Sequence, residues 1–239
     1  MENRNFRLGT EWNIIHYPEK PTGFGILIIG DERHFVDESK SFWLQNESKL
    51  SIIKMLKESG YTIFSSNLYG KNWGSEKAVE LAQSLYQHMI RSEIINGKIH
   101  IIAEGMGALV AVKLLEKLTG QLRSIVFLNP ILSLKQHLQQ EKENKFFYKK
   151  LTRELEFAYQ KDLDQLEKEL VSIEKICPFD YGIPIKMIYV LSDTRSFSQS
   201  NLYQKLVKNE INTSYILLEK KQQLGAMIVN FFKNYEQVL

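Results

Sequence analysis

The stretch Lys98–Leu118, KIHIIAEGMGALVAVKLLEKL, restricts the fold more than any other part of the chain. It joins a continuous apolar run to a helix-periodic segment through the glycine-bearing turn Ala103-Glu104-Gly105-Met106-Gly107. Apolar runs of this kind suit strands buried on both faces, which occur in parallel sheets covered by helices. The same unit recurs along the chain. FGILIIG is a short apolar run ending at Gly30. SKLSIIKMLKESG spaces Leu50, Ile53, Met55 and Leu56 as a helix does and stops at Gly60, a glycine C-terminal signal. YTIFSSN reads as a strand, SEKAVELAQSLYQHMIRSEI as an amphipathic helix from near Ser75, and RSIVFLNP as a strand closed by Pro130. The order resumes later with the strand IKMIYVLSD, the helix SNLYQKLVKN, the strand TSYILLE and the helix AMIVNFFKNYEQVL.

Strand–helix alternation from about Phe24 onward predicts the α/β class: a mostly parallel sheet with helices on both faces. The 239 residues suit one such domain, 1–239. Residues 134–178 break the pattern. They are helix-like and highly charged, with Leu163, Leu166, Leu170 and Ile173 forming one apolar stripe. This segment is expected to form a helical lid or cap inserted in the domain. Its charge run, Glu141–Lys175, reads as a solvated face with i,i+4 pairs, or as a docking surface for a protein partner. The aromatic cluster Phe146–Tyr148 is expected to pack the lid onto the core.

A formal net charge of +3 with lysine and glutamate interspersed leaves no basic stripe that would track nucleic acid. The single cysteine, Cys177, cannot form an internal disulfide and reads as a small, partly buried apolar residue. The polar N-terminal stretch MENRNFRLGTEW lacks a signal-peptide core, and no apolar run approaches the ~20 residues that cross a bilayer. The chain is expected to be soluble and cytoplasmic.

Ligands of open α/β sheets bind beyond the carboxyl ends of the strands. Order and spacing here resemble the α/β-hydrolase family from about Gly23 to the C-terminus. Ala103–Gly107 stands at the family's G-x-S-x-G nucleophile elbow. Ser66–Ser75, SNLYGKNWGS, resembles the family's D-x-x-G-x-G-x-S loop with Asn67 at the aspartate position, and Asp193 in VLSD matches the family's acid. The resemblance implies an α/β-hydrolase fold and a Ser-His-acid triad. Two members of that triad are absent. Gly105 stands where the serine belongs, and no histidine lies in Glu219–Ala226, where the family's base is placed. Glycine keeps the strained, positive-φ turn without its chemistry.

The expected ligand pocket therefore comprises Gly30, Asp31, Glu104, Gly105, Met106, Ser192 and Asp193. His34 is a speculative base or metal ligand near Asp31, Glu32 and Asp37, with a solvated loop as the ordinary reading. Its spacing matches no metal motif, so no metal is expected. No cofactor is expected either. Glu104 is a speculative base, with capping of the following helix as the ordinary reading. Ser192 more simply satisfies turn backbone, and Asp193 more simply pairs with Lys220 or Lys221. Ser65 and Ser66 are the only nearby substitutes for the nucleophile, and both fit the sheet. His16, His88, His100 and His137 read as ordinary. Three functions follow: a non-catalytic α/β-hydrolase-like protein binding a small apolar or acyl ligand or a protein; a hydrolase of a small ester or thioester with non-standard residues; and an interaction module acting through the lid helices.

Overall fold

Alternation within the central strands builds two cores at once. In the computed structural model, which describes residues 3–173, 182–191 and 212–236, Leu27 and Ile29 of β3 (Gly25–Ile29) face one side of the sheet while Ile26 and Ile28 face the other. β4 (Thr62–Ser66), β5 (Ile99–Glu104) and β6 (Leu122–Leu128) divide their apolar residues the same way. α3 (Glu76–Ser92) and α4 (Gly107–Lys117) cover the first side. α2 (Glu47–Glu58) and the helix Leu224–Lys233, here α8, cover the second. The short α1 (Phe42–Gln45) precedes α2 and buries Trp43.

The described sheet has eight strands in the order β1-β2-β4-β3-β5-β6-β7-β8. From β4 through β3, β5, β6, β7 (Ile185–Leu191) and β8 (Asn212–Leu217), neighbours run parallel. The α/β class and the helices on both faces are as the sequence predicts.

The start of the sheet is not. β1 (Asn3–Leu8) and β2 (Glu11–His16) form an antiparallel hairpin turned at Gly9 and Thr10, and β2 runs antiparallel to β4. Sequence patterning began the fold near Phe24 because neither strand shows a usable period. β1 is an edge strand, only partly buried, and β2 buries polar Asn13 and His16 beside Ile14 and Ile15.

Between β6 and β7 the described residues form three helices: α5 (Leu134–Glu141), α6 (Lys145–Tyr159) and α7 (Leu163–Ile173). They share a core of Leu134, Leu138, Leu151, Leu155 and Leu166, closed from below by Trp73 and Met106. Only part of the Phe146–Tyr148 cluster packs inward. Tyr148 joins this core, whereas Phe146 is 73% exposed. Cys177 lies outside the described residues.

Candidate functional site

The turn after β5 is sharp because two glycines make it so. Gly105 has φ +51°, a left-handed conformation that disfavours any side chain. A Cβ on Gly107 would lie 2.5 Å from Ile29 O and 2.6 Å from Gly30 O. α4 therefore crosses the end of β3 at a distance only glycine allows.

The space above Gly105 is filled from a different loop. A Cβ there would fall 2.0 Å from Asp31 Oδ1 and 2.1 Å from Asp31 Cγ. Asp31 follows β3, and its Oδ1 accepts a hydrogen bond of 2.9 Å from the Met106 backbone N–H. The Glu32 amide is a second backbone donor to the same carboxylate. In a G-x-S-x-G elbow, the amide after the nucleophile and one from the loop after β3 are the donors that hold an oxyanion. Here both are engaged by a carboxylate belonging to the chain. Burial, and after it the nearby Glu104, push the Asp31 carboxyl up to about 6 against the opposing pull of the Met106 and Glu32 amides.

Glu104, the last residue of β5, is paired with Lys49 Nζ from α2. This replaces the expected helix cap. This partly buried carboxylate beside Asp31 is stabilised by the Lys49 ammonium, which also lies 5.0 Å from the Trp43 ring centroid.

Asp31, Glu104 and Gly105 line one cavity of about 530 Å³. Gly30 and Met106 lie a layer beneath it. Gly30 packs against the His34 ring, and the Met106 side chain is buried in the core of the helical insert. Ser192 and Asp193 lie outside the described residues. The cavity walls come from the insert and from the loop after β4. Trp73 stacks on His137 at 5.4 Å between centroids, and its indole N–H donates to Glu154 Oε2 at 3.0 Å. Lys150 lies 3.3 Å from Glu32 and 3.8 Å from Glu154. Arg33 and Lys221 also line the cavity.

His34 is not in the cavity. Its ring is buried, and its Nε2–H donates to Ser66 O at 3.1 Å, tying the loop after β3 to the end of β4. Burial pushes its pKa down to about 4, so the ring is neutral at pH 7. The solvated-loop reading fails for the same reason. Ser65 and Ser66 belong to β4 and are buried, with Ser66 Oγ accepting from Leu68 N–H. Asn67 anchors its loop through Glu11, whose Oε2 accepts from Asn67 Nδ2 at 2.7 Å and from Tyr69 N–H at 3.1 Å. Leu68, Tyr69 and Trp73 in that loop all have positive φ, a local strain that the Glu11 anchor helps to hold.

Most wall residues lie outside the pocket expected from sequence, Lys49, Lys150, His137 and Trp73 among them. Lys49 and Lys150 are indistinguishable in sequence from solvated helix positions. His137 reads as ordinary in sequence, yet the insert brings it to the cavity. Trp73 carried a usable signal: a large aromatic in a glycine-flanked loop directly after a strand. Among the described residues, no group of three or more His, Cys, Asp or Glu is placed to hold a metal. Nor, among them, is any helix long and apolar enough to cross a membrane.

No family model matches the sequence, and no curated protein matches it. Solved structures do. FphF, a fluorophosphonate-binding serine hydrolase of Staphylococcus aureus, aligns with a TM-score of 0.65 at 12% identity, covering 98% of this chain and 97% of that one. Est1E from Butyrivibrio proteoclasticus aligns at 0.64 and 12% identity, covering 97% of each chain. Mouse alpha/beta hydrolase domain-containing protein 10 aligns at 0.61 and 10% identity, covering 98% of this chain and 99% of that one. At such identities the likeness speaks for architecture alone. This chain has the α/β-hydrolase fold.

Proposed function

We propose that this chain is an α/β-hydrolase-fold binding protein that lacks Ser-His-Asp catalysis and takes a small ligand in the cavity beneath its helical insert, which serves as a lid. The observation that carries the reading is the Asp31 carboxylate in the space above Gly105, hydrogen-bonded to Met106 N–H. Acyl transfer needs a nucleophile at that point and free donors for the developing oxyanion. Gly105 offers no nucleophile, and Asp31 already engages the donors. The lining favours a polar ligand over the apolar or acyl one that the sequence suggested, because Asp31, Glu32, Arg33, Lys49, Lys150 and Glu154 all contribute to it. A hydrolase with non-standard residues would have to activate water through Asp31 or Glu104. His34 does not reach the cavity.

The test is turnover of a short-to-medium-chain p-nitrophenyl ester panel by purified protein against a heat-denatured control. No turnover is expected. Turnover that is lost in Asp31→Ala would replace this reading with the non-standard hydrolase.

One observation favours a second reading, a protein partner held by the insert. The outward arc of α6 carries Phe146 and Phe157, 73% and 74% exposed, alongside exposed Lys145, Lys149 and Arg153. None of these three cations makes an ion pair among the described residues. Such a face suits an acidic partner with an apolar groove. Phe146→Ser/Phe157→Ser combined with Lys149→Glu/Arg153→Glu should abolish capture of that partner while leaving the melting temperature unchanged. Capture that survives these changes removes the reading.

A further inference from the structure

We propose that the cavity recognises its ligand through a cationic nitrogen, an ammonium or amidinium group seated on the Asp31 carboxylate. The inference rests on the binding-protein reading above and names the class of ligand.

The polarity of the floor is the first argument. Backbone donors at the elbow normally face the ligand and select an oxygen anion. In this chain Met106 N–H, at 2.9 Å, and the Glu32 amide both serve Asp31. What the floor presents to the cavity is carboxylate oxygen, which when ionised only accepts hydrogen bonds. An anionic group would meet Asp31 and, beside it, Glu104. A donor with positive charge would meet complementary partners.

The second argument is charge pairing. Lys49 is held by Glu104, and Lys150 by Glu32 and Glu154. Among the described residues no cation forms an ion pair with Asp31, so its charge is met by amide dipoles alone. Burying a carboxylate without a cation is costly, and a ligand cation relieves that cost.

The third is the wall. The half-buried rings of Phe42 and Phe147 line the same cavity, beside buried Trp73, which stacks on His137 at 5.4 Å. Aromatic faces attract a desolvated cation. Arg33 and Lys221 line the cavity too, and they disfavour a ligand with several positive charges. The fit is a small molecule with one cationic nitrogen and a neutral or anionic tail, within the range that a cavity of about 530 Å³ accepts.

The experiment is isothermal titration of the full chain at pH 7.5 with four probes of one length: butylamine, 4-aminobutanoate, butanol and butanoate. The two amines are expected to bind, and butanol and butanoate are not. Asp31→Asn keeps the shape and an acceptor for Met106 N–H, and should weaken amine binding roughly 10- to 100-fold, the effect of losing a charged hydrogen bond. A melting curve confirms that the variant folds. As a second measurement on unaltered protein, butylamine stays protonated from pH 5 to 8, so the change in its affinity reports the protein. Affinity should rise with pH as Asp31 ionises. Glu32 on its own loop and Glu104 on β5 act directly on Asp31; the other titratable or charged groups lining the cavity are Arg33, Lys49 (held by Glu104), His137, Glu141, Lys150, Glu154 and Lys221, so the rise is read against Asp31→Asn, which keeps all of them. Equal amine binding by Asp31→Asn, binding of butanoate in place of the amines, or no amine binding at millimolar concentration each overturns the proposal. Ester turnover is scored separately and bears on the binding-protein reading alone.

Discussion

A side chain on Gly105 and the carboxylate of Asp31 compete for one volume, since the first atom of the former would lie 2.0 Å from Oδ1 of the latter. Gly105→Ala should therefore be destabilising by two routes: a left-handed φ of +51° and displacement of Asp31 from Met106 N–H. Together these should cost about 2–3 kcal/mol. In an Asp31→Ala background only the backbone strain remains, and the same change should cost roughly 1 kcal/mol. Urea denaturation of the four proteins closes the cycle. Additive effects would mean that Asp31 does not occupy that volume in solution.

Gly107 supplies the contrast. Its missing Cβ faces the carbonyl oxygens of Ile29 and Gly30, which are backbone and cannot rotate away. Gly107→Ala should cost about 3 kcal/mol, at the upper end for overpacking. Asp31→Ala should not relieve it. Equal relief at both positions would point to a general softening of the turn.

What the sequence made legible follows from period and from glycine. β3 through β6 are apolar runs buried on both faces, so their order and the α/β class could be read directly. Gly105 and Gly107 announced the turn because only glycine fits there. The β1–β2 hairpin escaped because Asn13 and His16 are polar yet buried, which destroys the alternation. The site divides in the same manner. Asp31, Glu104 and Gly105 are legible as pocket residues because they lie at the carboxyl ends of strands, where ligands of such sheets bind. The seat of Asp31 above Gly105 depends on a contact 74 positions apart that no local pattern encodes. His34 was misread because a polar residue after a strand looks solvated, whereas its ring folds back beneath Gly30. Lys49 was invisible for the reverse reason: a lysine among helix surface residues gives no sign that its ammonium reaches Glu104.

The Lys49–Glu104 pair gives the next prediction. Both side chains are mostly buried, 15% and 17% exposed, and a second carboxylate lies beside Glu104. Lys49→Met leaves Glu104 uncompensated next to Asp31. The loss should be about 2 kcal/mol at pH 7, below the figure for a fully buried pair because water still reaches both groups. Lys49→Met with Glu104→Leu removes both charges and should restore most of it. If the double variant is no more stable than Lys49→Met alone, the loss is due to packing against Trp43 and not to charge.

Stability should fall as the solution is acidified from neutrality, for a reason that lies in three imidazoles. Burial pushes His16 down to about 3, His34 to about 4 and His100 to about 3, from an ordinary value of 6.5. For His34 the hydrogen bonds agree: Nε2–H donates to Ser66 O, and buried Nδ1 has no hydrogen-bond partner among the described residues. The unfolded chain gains a proton at each position as pH drops through 6.5, and the native state gains none until near 4. In that window the native state holds up to three fewer protons, and stability declines with pH. Asp31 has the opposite sign. Its pKa, raised to about 6 from 3.8, lets the native state hold one proton more between those values, which favours folding there. The net of about two protons gives a slope of roughly 2–3 kcal/mol per pH unit between about pH 6 and 4. Urea midpoints across that range measure it. Replacing His34 with Gln should flatten the slope by about 1.4 kcal/mol per unit, and Asp31→Asn should steepen it by a similar amount. A profile unmoved by either change would place the acid sensitivity elsewhere in the chain.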